Sequence, residues 1–204
     1  TRAPAMSSFK LLTVGNPKTI KGQSKGYLTF ILHLAPANIS GHETCPKRSA
    51  GCTAACLNTA GRGGMFKKGE TTNVIQQARI RKTREFFANK EEFLFRLAGE
   101  IKRAINYAER KGLIPVFRLN GTSDISWEKY KFGPLDLNIF DSFPYVQFYD
   151  YTKVLGRKVQ NISNYHLTFS ATESNQAEFA RAYAAGMNVA VVFDQLPEEY
   201  MSIP

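Results

Sequence analysis

YLTFILHL, residues Tyr27 to Leu34, is the stretch that decides the fold. It is aromatic, β-branched and almost continuously apolar, which is how a strand buried on both faces reads, and such strands belong to parallel sheets. Downstream, the same kind of short apolar run recurs between helical or polar segments. Ile114 to Leu119, Val146 to Tyr149, Tyr165 to Phe169 and Asn188 to Phe193 read as strands. Between them lie helical patterns. Thr71 or Thr72 can cap a helix running to Ala88, with Arg79, Arg81, Lys82 and Arg84 on its exposed face. Asn89 starts a second helix, with Glu92 in the capping-box position and Gly112 as its stop. Phe93, Leu94, Leu97, Ile101, Ala104, Ile105 and Ala108 hold helical spacing along it. Asn175 to Ala185, closed by Gly186, is a third helix, and Leu135 to Ser142 reads as a short one. Strands alternating with helices predict an α/β fold with mostly parallel strands and right-handed crossovers. Five strands are too few for an eight-fold barrel, so the expected form is an open or partial (β/α) barrel.

Length and composition agree with one domain. The chain has 204 residues, 43% apolar and 22% charged, which excludes a disordered or fibrous protein. Residues 6–204 read as a single α/β domain, with Thr1 to Ala5 ahead of Met6 set aside as an expression remnant. No apolar stretch approaches the roughly 18 residues of a membrane span, and no secretion signal is present, which predicts a protein without membrane contact. The net charge is +10, distributed as +6 over residues 1–59, +7 over 60–111 and −3 over 112–204. That asymmetry points to a nucleic acid or other polyanion met by the N-terminal half, against a basic surface that serves solubility alone. Three cysteines, an odd number, cannot all form disulfides and predict a reducing, cytoplasmic setting.

The segment Asn16 to Gly26 reads as an exposed loop. Residues 36–69, just after the first strand, form a long Gly-rich stretch with little periodicity, and a loop of that length in a compact domain implies binding. It holds all three cysteines, Cys45, Cys52 and Cys56, spaced C-x6-C-x3-C. Three thiolates can hold a [4Fe–4S] cluster with one iron left open. Zinc could use the same three plus His42 in a closed site, and unconnected buried thiols are the third reading. Each later strand ends in a polar cluster: Asn120-Gly121-Thr122-Ser123-Asp124, then Asp150 to Lys153, Ser170 to Glu173, and Asp194. C-terminal strand ends form the active face of (β/α) folds. Asn120, Thr122, Asp124, Asp150, Lys153, Ser170 and Glu173 are therefore the candidate cofactor contacts, with turn capping as the competing role. His166 and His33 lie in apolar strands and read as core histidines, either of which has a place facing a barrel interior. Gly61-Arg62-Gly63-Gly64 with Lys67 and Lys68 is a basic turn whose N–H groups could hold a phosphate, but it lacks the Gly-Lys-Ser/Thr ending of a P-loop. Arg62, Lys67, Lys68, Arg79, Arg81 and Arg84 form the candidate nucleic-acid contacts.

The strings GNPKTIKG, CPKRSAGCTAACLNTAGRGGMFKKGETTN, GLIPVFRLNGTSDI, VQFYDYTK, NYHLTFSATE and NVAVVF resemble the phage protein family called "gene product eighty-eight", found in actinobacteriophages. The resemblance runs from about Leu11 to Phe193 and implies a phage origin, with the host cytoplasm as setting. A three-cysteine loop after the first strand is more distantly similar to radical S-adenosylmethionine (SAM) proteins. That likeness implies a radical-SAM-like fold, a [4Fe–4S] cluster on Cys45, Cys52 and Cys56, and SAM at the open iron. NGTSD stands where such proteins contact the methionyl amine. The spacing departs from the usual C-x3-C-x2-C, and Ala55 stands where an aromatic residue normally precedes the third cysteine. Catalysis is left open. The competing class is a non-enzymatic nucleic-acid-binding module stabilised by zinc.

Overall fold

Residues 10–14 and 17–192 are described by a computed structural model. In chain order the strands are β1 (Leu12–Val14), β2 (Tyr27–Leu32), β3 (Ile114–Arg118), β4 (Lys131–Phe132), β5 (Leu137–Asn138), β6 (Gln147–Thr152), β7 (Tyr165–Ser170) and β8 (Asn188–Ala190). The helices are α1 (Pro17–Gln23), α2 (Ala50–Ala54), α3 (Val74–Ala88), α4 (Lys90–Glu109) and α5 (Gln176–Ala184). Six strands make one sheet in the order β1-β2-β3-β6-β7-β8, and β4 and β5 form a separate pair. β1 runs antiparallel to β2, and every other pairing in the large sheet is parallel. The strand order follows the chain without reversal. No closure between β1 and β8 exists among the described residues.

The reason for β2's apolar run is its position. It has a neighbour on each edge, and five of its six residues are buried. Side chains alternate across the sheet, and the register places Leu28, Phe30, Leu32, Phe117, Phe148, Tyr165 and Leu167 on one face. That face packs against Phe86 of α3 and against Phe93, Leu94, Leu97, Ile101, Ala104 and Ala108 of α4 in one core. α4 begins as expected: Asn89 caps it by accepting from the Glu92 N–H, and donates back to the Glu92 carboxylate at 3.2 Å. Trp127 closes the core, wholly buried beside Phe86 and Phe93.

Several expectations are corrected. Asn16 itself lies outside the described residues, but Pro17–Gln23, read as loop, is helix α1. Leu135 to Ser142 is not helical; Leu137–Asn138 pairs with Lys131–Phe132, and the Asn138 side chain then caps a turn by accepting from Phe140 and Asp141 N–H. The last strand stops at Ala190, and its expected end at Phe193 and Asp194 lies outside the described residues. On α3, Lys82 is buried, because its ammonium turns in to the Leu11 carbonyl at 3.2 Å. His166 is exposed, not core, since the register assigns it to the face away from α4.

Candidate functional site

All five parallel strands end at one edge, and residues 36–69 fold back over it. Local polar chemistry holds the loop there, one clamp near each cysteine. Beside Cys45, the Asp124 N–H at the end of β3 donates to the Thr44 carbonyl at 2.7 Å, and the Cys45 Sγ lies 3.8 Å from the Thr122 carbonyl. Cys52 sits in α2, capped by Ser49, whose oxygen accepts the Cys52 N–H at 3.1 Å. The Ser49 hydroxyl donates in turn to Glu173 at 2.9 Å, and the Gly51 N–H donates to the other oxygen of that carboxylate at 2.8 Å. These two bonds hold the Glu173 carboxyl below its ordinary value. Beyond Cys56, the Arg79 guanidinium donates to the Asn58 carbonyl and to its side-chain oxygen at 3.0 and 2.7 Å. β3, the segment after β7, and α3 thus each fix one part of the cysteine loop.

The three thiols are free and half-buried. Burial pushes the Cys45 thiol up, and the charges of Asp124 and Cys56 act in the same direction. No three His, Cys, Asp or Glu side chains among the described residues form a group able to hold a single metal ion. His42 does not join the cysteines: its ring stacks on Phe87, centroids 4.3 Å apart. As a donor set, three thiols outside any disulfide on one clamped loop are of the type that soft metal centres take.

The other site candidates are built into the edge. The Asn120 side-chain oxygen accepts from the Ser123 hydroxyl, the Ile125 N–H and the Trp127 indole at 2.9–3.1 Å. Thr122 donates to the Leu34 carbonyl at 2.5 Å. Asp124 accepts from the Thr152 hydroxyl and the Lys153 N–H, both at 2.8 Å, while burial pushes its carboxyl up. Asp150 is fully buried on the α4 side; it accepts the Asn120 N–H at 2.8 Å and the Tyr165 hydroxyl at 3.3 Å. Burial pushes its carboxyl up to about 7. Arg157, absent from the sequence reading, joins this network through Glu128 at 2.5 and 3.1 Å and Tyr165 at 3.1 Å. Lys153 and Ser170 are half-buried at the ends of β6 and β7, and the Ser170 carbonyl accepts from Asn175 at 3.0 Å.

The basic residues do not form one patch. Arg79 is bound to Asn58, the Arg84 Nε donates to the Ser40 carbonyl at 3.0 Å, and Arg81 faces Glu85 at 3.9 Å. Arg62, Lys67 and Lys68 are exposed. In the glycine turn the Gly63 and Met65 N–H groups donate within the turn, and its carbonyls accept from Asn73.

A family model described as "Gene product 88" matches residues 10–201. The chain belongs to that family. No curated protein and no solved structure matches it. Among the described residues no helix is long and apolar enough to cross a membrane.

Proposed function

We propose that this Gene product 88 protein binds an iron–sulfur cluster through Cys45, Cys52 and Cys56, at the C-terminal edge of an open, barrel-like sheet. The observation that carries this reading is the triple clamp. Three separate elements hold the stretches bearing three thiols outside any disulfide over one strand edge. A turn stabilised only for its own sake would not need Asp124, Glu173 and Arg79 from three different elements. The strand order runs with the chain, which supports reading the sheet as an open relative of a (β/α) barrel, and the loop follows the first parallel strand as in radical SAM proteins. On that likeness the ligand of the open iron is SAM. When bound, such a cluster supplies one-electron reduction to a ligand at its open iron. The chain's own residues do the positioning: Asp124 and Glu173 hold the loop, while Lys153 and Ser170 remain at the mouth for ligand contacts. A reducing host cytoplasm suits three free thiols.

The rival is a zinc-stabilised, nucleic-acid-binding module, and the two divide on His42. Anaerobically purified protein should be brown, absorbing at roughly 400 nm as thiolate-ligated iron does, with iron and sulfide in equal amounts. Cys45→Ala, Cys52→Ala or Cys56→Ala should each abolish cluster retention, while His42→Ala should keep it. Colourless protein carrying one zinc, lost in His42→Ala as fully as in Cys52→Ala, would sink the proposal and the SAM reading built on it.

A further inference from the structure

The strand order never reverses, so right-handed crossovers carry the connecting segments to one side of the sheet. The core bears this out. Phe86 and Phe93 between β2 and β3, Trp127 and Phe140 between β3 and β6, and Val159 and Ile162 between β6 and β7 all pack on the α4 side. Alternation and register place Arg118, Tyr149, Tyr151, His166 and Thr168 on the opposite face, with Tyr149 beside His166 and Tyr151 beside Thr168. There, at β6 and β7, the sheet meets solvent. Tyr151 is 42% exposed, His166 is exposed, and Arg118, Tyr149 and Thr168 are half-buried. Flat side chains on neighbouring strands, whose backbones run about 5 Å apart, thus share one open patch.

Arg118 ties this patch to charge. Its guanidinium lies over the Tyr151 ring, 5.1 Å from the centroid. The side chain is 20% exposed, and its Nε is buried without a hydrogen-bond partner. The Asp150 carboxylate stands 3.9 Å from that nitrogen, beyond hydrogen-bond reach, and already accepts the Asn120 N–H and the Tyr165 hydroxyl. An unmade hydrogen bond on a buried guanidinium is costly. An arginine held flat on an exposed ring, with an N–H to spare, suits a ligand that sets an anion beside a flat ring. Unpaired nucleotides repeat that pairing along a strand, since every base has a stacking face and every sugar carries a phosphate. A net charge of +10 favours such a polyanion over a neutral aromatic ligand. Duplex DNA does not fit, because its base faces are covered by its own stack.

We propose that the open sheet face at β6 and β7 binds single-stranded nucleic acid, with unpaired bases stacked on Tyr151 and His166 and an adjoining phosphate on Arg118. Tyr149 borders the stack. This differs from a duplex contact through the exposed turn, where Arg62, Lys67 and Lys68 meet phosphates alone. The site uses no cysteine and stands whether or not a cluster is held.

Fluorescence anisotropy with an end-labelled oligothymidine of about 12 nucleotides, at about 50 mM salt, tests it. An abasic strand of the same length keeps the phosphates and lacks the bases; it should bind at least about 10-fold more weakly, as should the same sequence paired in a duplex. Tyr151→Ala should weaken strand binding about 5- to 100-fold, while Tyr151→Phe, which keeps the ring, should stay close to wild type. His166→Ala, at a second exposed position, should weaken it as well. Arg118→Gln should weaken binding and lower the salt slope by about 0.7, one phosphate contact on a single strand. Lys102→Gln, exposed on α4 across the sheet, should leave affinity unchanged, and Cys52→Ala should bind as wild type. Absence of strand binding overturns the proposal, as do equal affinities for the three probes. Tyr151→Ala and His166→Ala proteins that fold by circular dichroism and bind as wild type overturn it too. Strand binding lost in Cys52→Ala would assign it to the cysteine loop, overturning this site while leaving the cluster reading intact.

Discussion

Gly121→Ala places a severe single methyl at the end of β3, beside the candidate site. A Cβ at this position would stand 2.6 Å from the Ile31 Cγ2, 2.7 Å from the His33 Cδ2 and 2.9 Å from the Leu32 carbonyl oxygen. None of these atoms is the free end of a flexible chain. Ile31 and Leu32 are buried in a strand paired on both edges, and the His33 ring is held by Thr13. The β3 end must therefore move away from β2. Overpacking of this kind costs about 1–3 kcal/mol. The shift also breaks the bond from the Gly121 N–H to the Leu32 carbonyl, worth about 1 kcal/mol more. The expected loss is about 2–4 kcal/mol, or about 5–15 °C in Tm for a chain of this length. Scanning calorimetry and urea titration measure it. Gly99→Ala is the control: in the α4 interior its nearest neighbour is the Arg103 guanidinium at 3.7 Å, so it should gain about 0.5–1 kcal/mol. A Gly121→Ala protein that melts with wild type would refute the close approach, and with it the placement of Thr122 against Cys45.

Three further outcomes are expected. Burial holds the Asp150 carboxyl up at about 7, above its unfolded value, so the folded protein keeps a proton there that the unfolded chain loses. That contribution is full below about pH 4 and lost as pH rises through about 7, so wild type should lose stability relative to Asp150→Asn between about pH 4 and pH 7, and a flat difference there refutes it. Glu100→Ala leaves the Lys10, Leu11 and Leu12 N–H groups without their acceptor; a loss of about 3 kcal/mol or more is expected, with faster amide exchange at Leu11 and Leu12, and unchanged exchange would count against it. If the exposed Arg62, Lys67 and Lys68 contact phosphates, duplex DNA affinity should fall with salt at a slope of about −0.9 per contact, and no binding at about 50 mM salt would leave them a solubility feature.

Much of the frame was readable because it depends on local pattern. Five of the six strands in the main sheet, α3, α4 and α5 were found from apolar runs and caps, and Asn89 with Glu92 behaves as a capping pair should. β1 was missed because three residues, Leu12–Val14, carry too little periodicity; what makes them a strand is Glu100, 88 positions or more away in sequence. α1 was missed because Gly and Lys read as turn chemistry. Lys82 and Arg79 were placed on a solvated face from their type alone, and only the position of α3 across the β2 end turns them inward.

The candidate site divides along the same line. The cysteines were legible, since three thiols in one short polar segment are conspicuous in any arrangement. The roles of the acids were not. Asp124, Asp150 and Glu173 looked like ligand contacts at strand ends, and the structure shows each carboxylate already accepting two or more hydrogen bonds within the protein. Their type was informative and their partners were not, because a strand-end carboxylate meets whatever the neighbouring strand and loop bring to it. The converse holds for Arg118, which drew no notice inside the run IPVFRL. Alternation puts it opposite Phe117, away from the core, and an arginine within an otherwise apolar strand is the mark of a sheet whose second face is not buried against helices. Together with Thr29, His33, Tyr149, Tyr151 and His166, it shows that the apolar runs of β2 and β3 overstate how dry that face is. The buried reading holds at β2, where five of six residues are buried, and fails progressively toward β7, where alternate residues are exposed or half-buried. An open sheet with one dry and one polar face is what leaves its strand ends to be met by the cysteine loop.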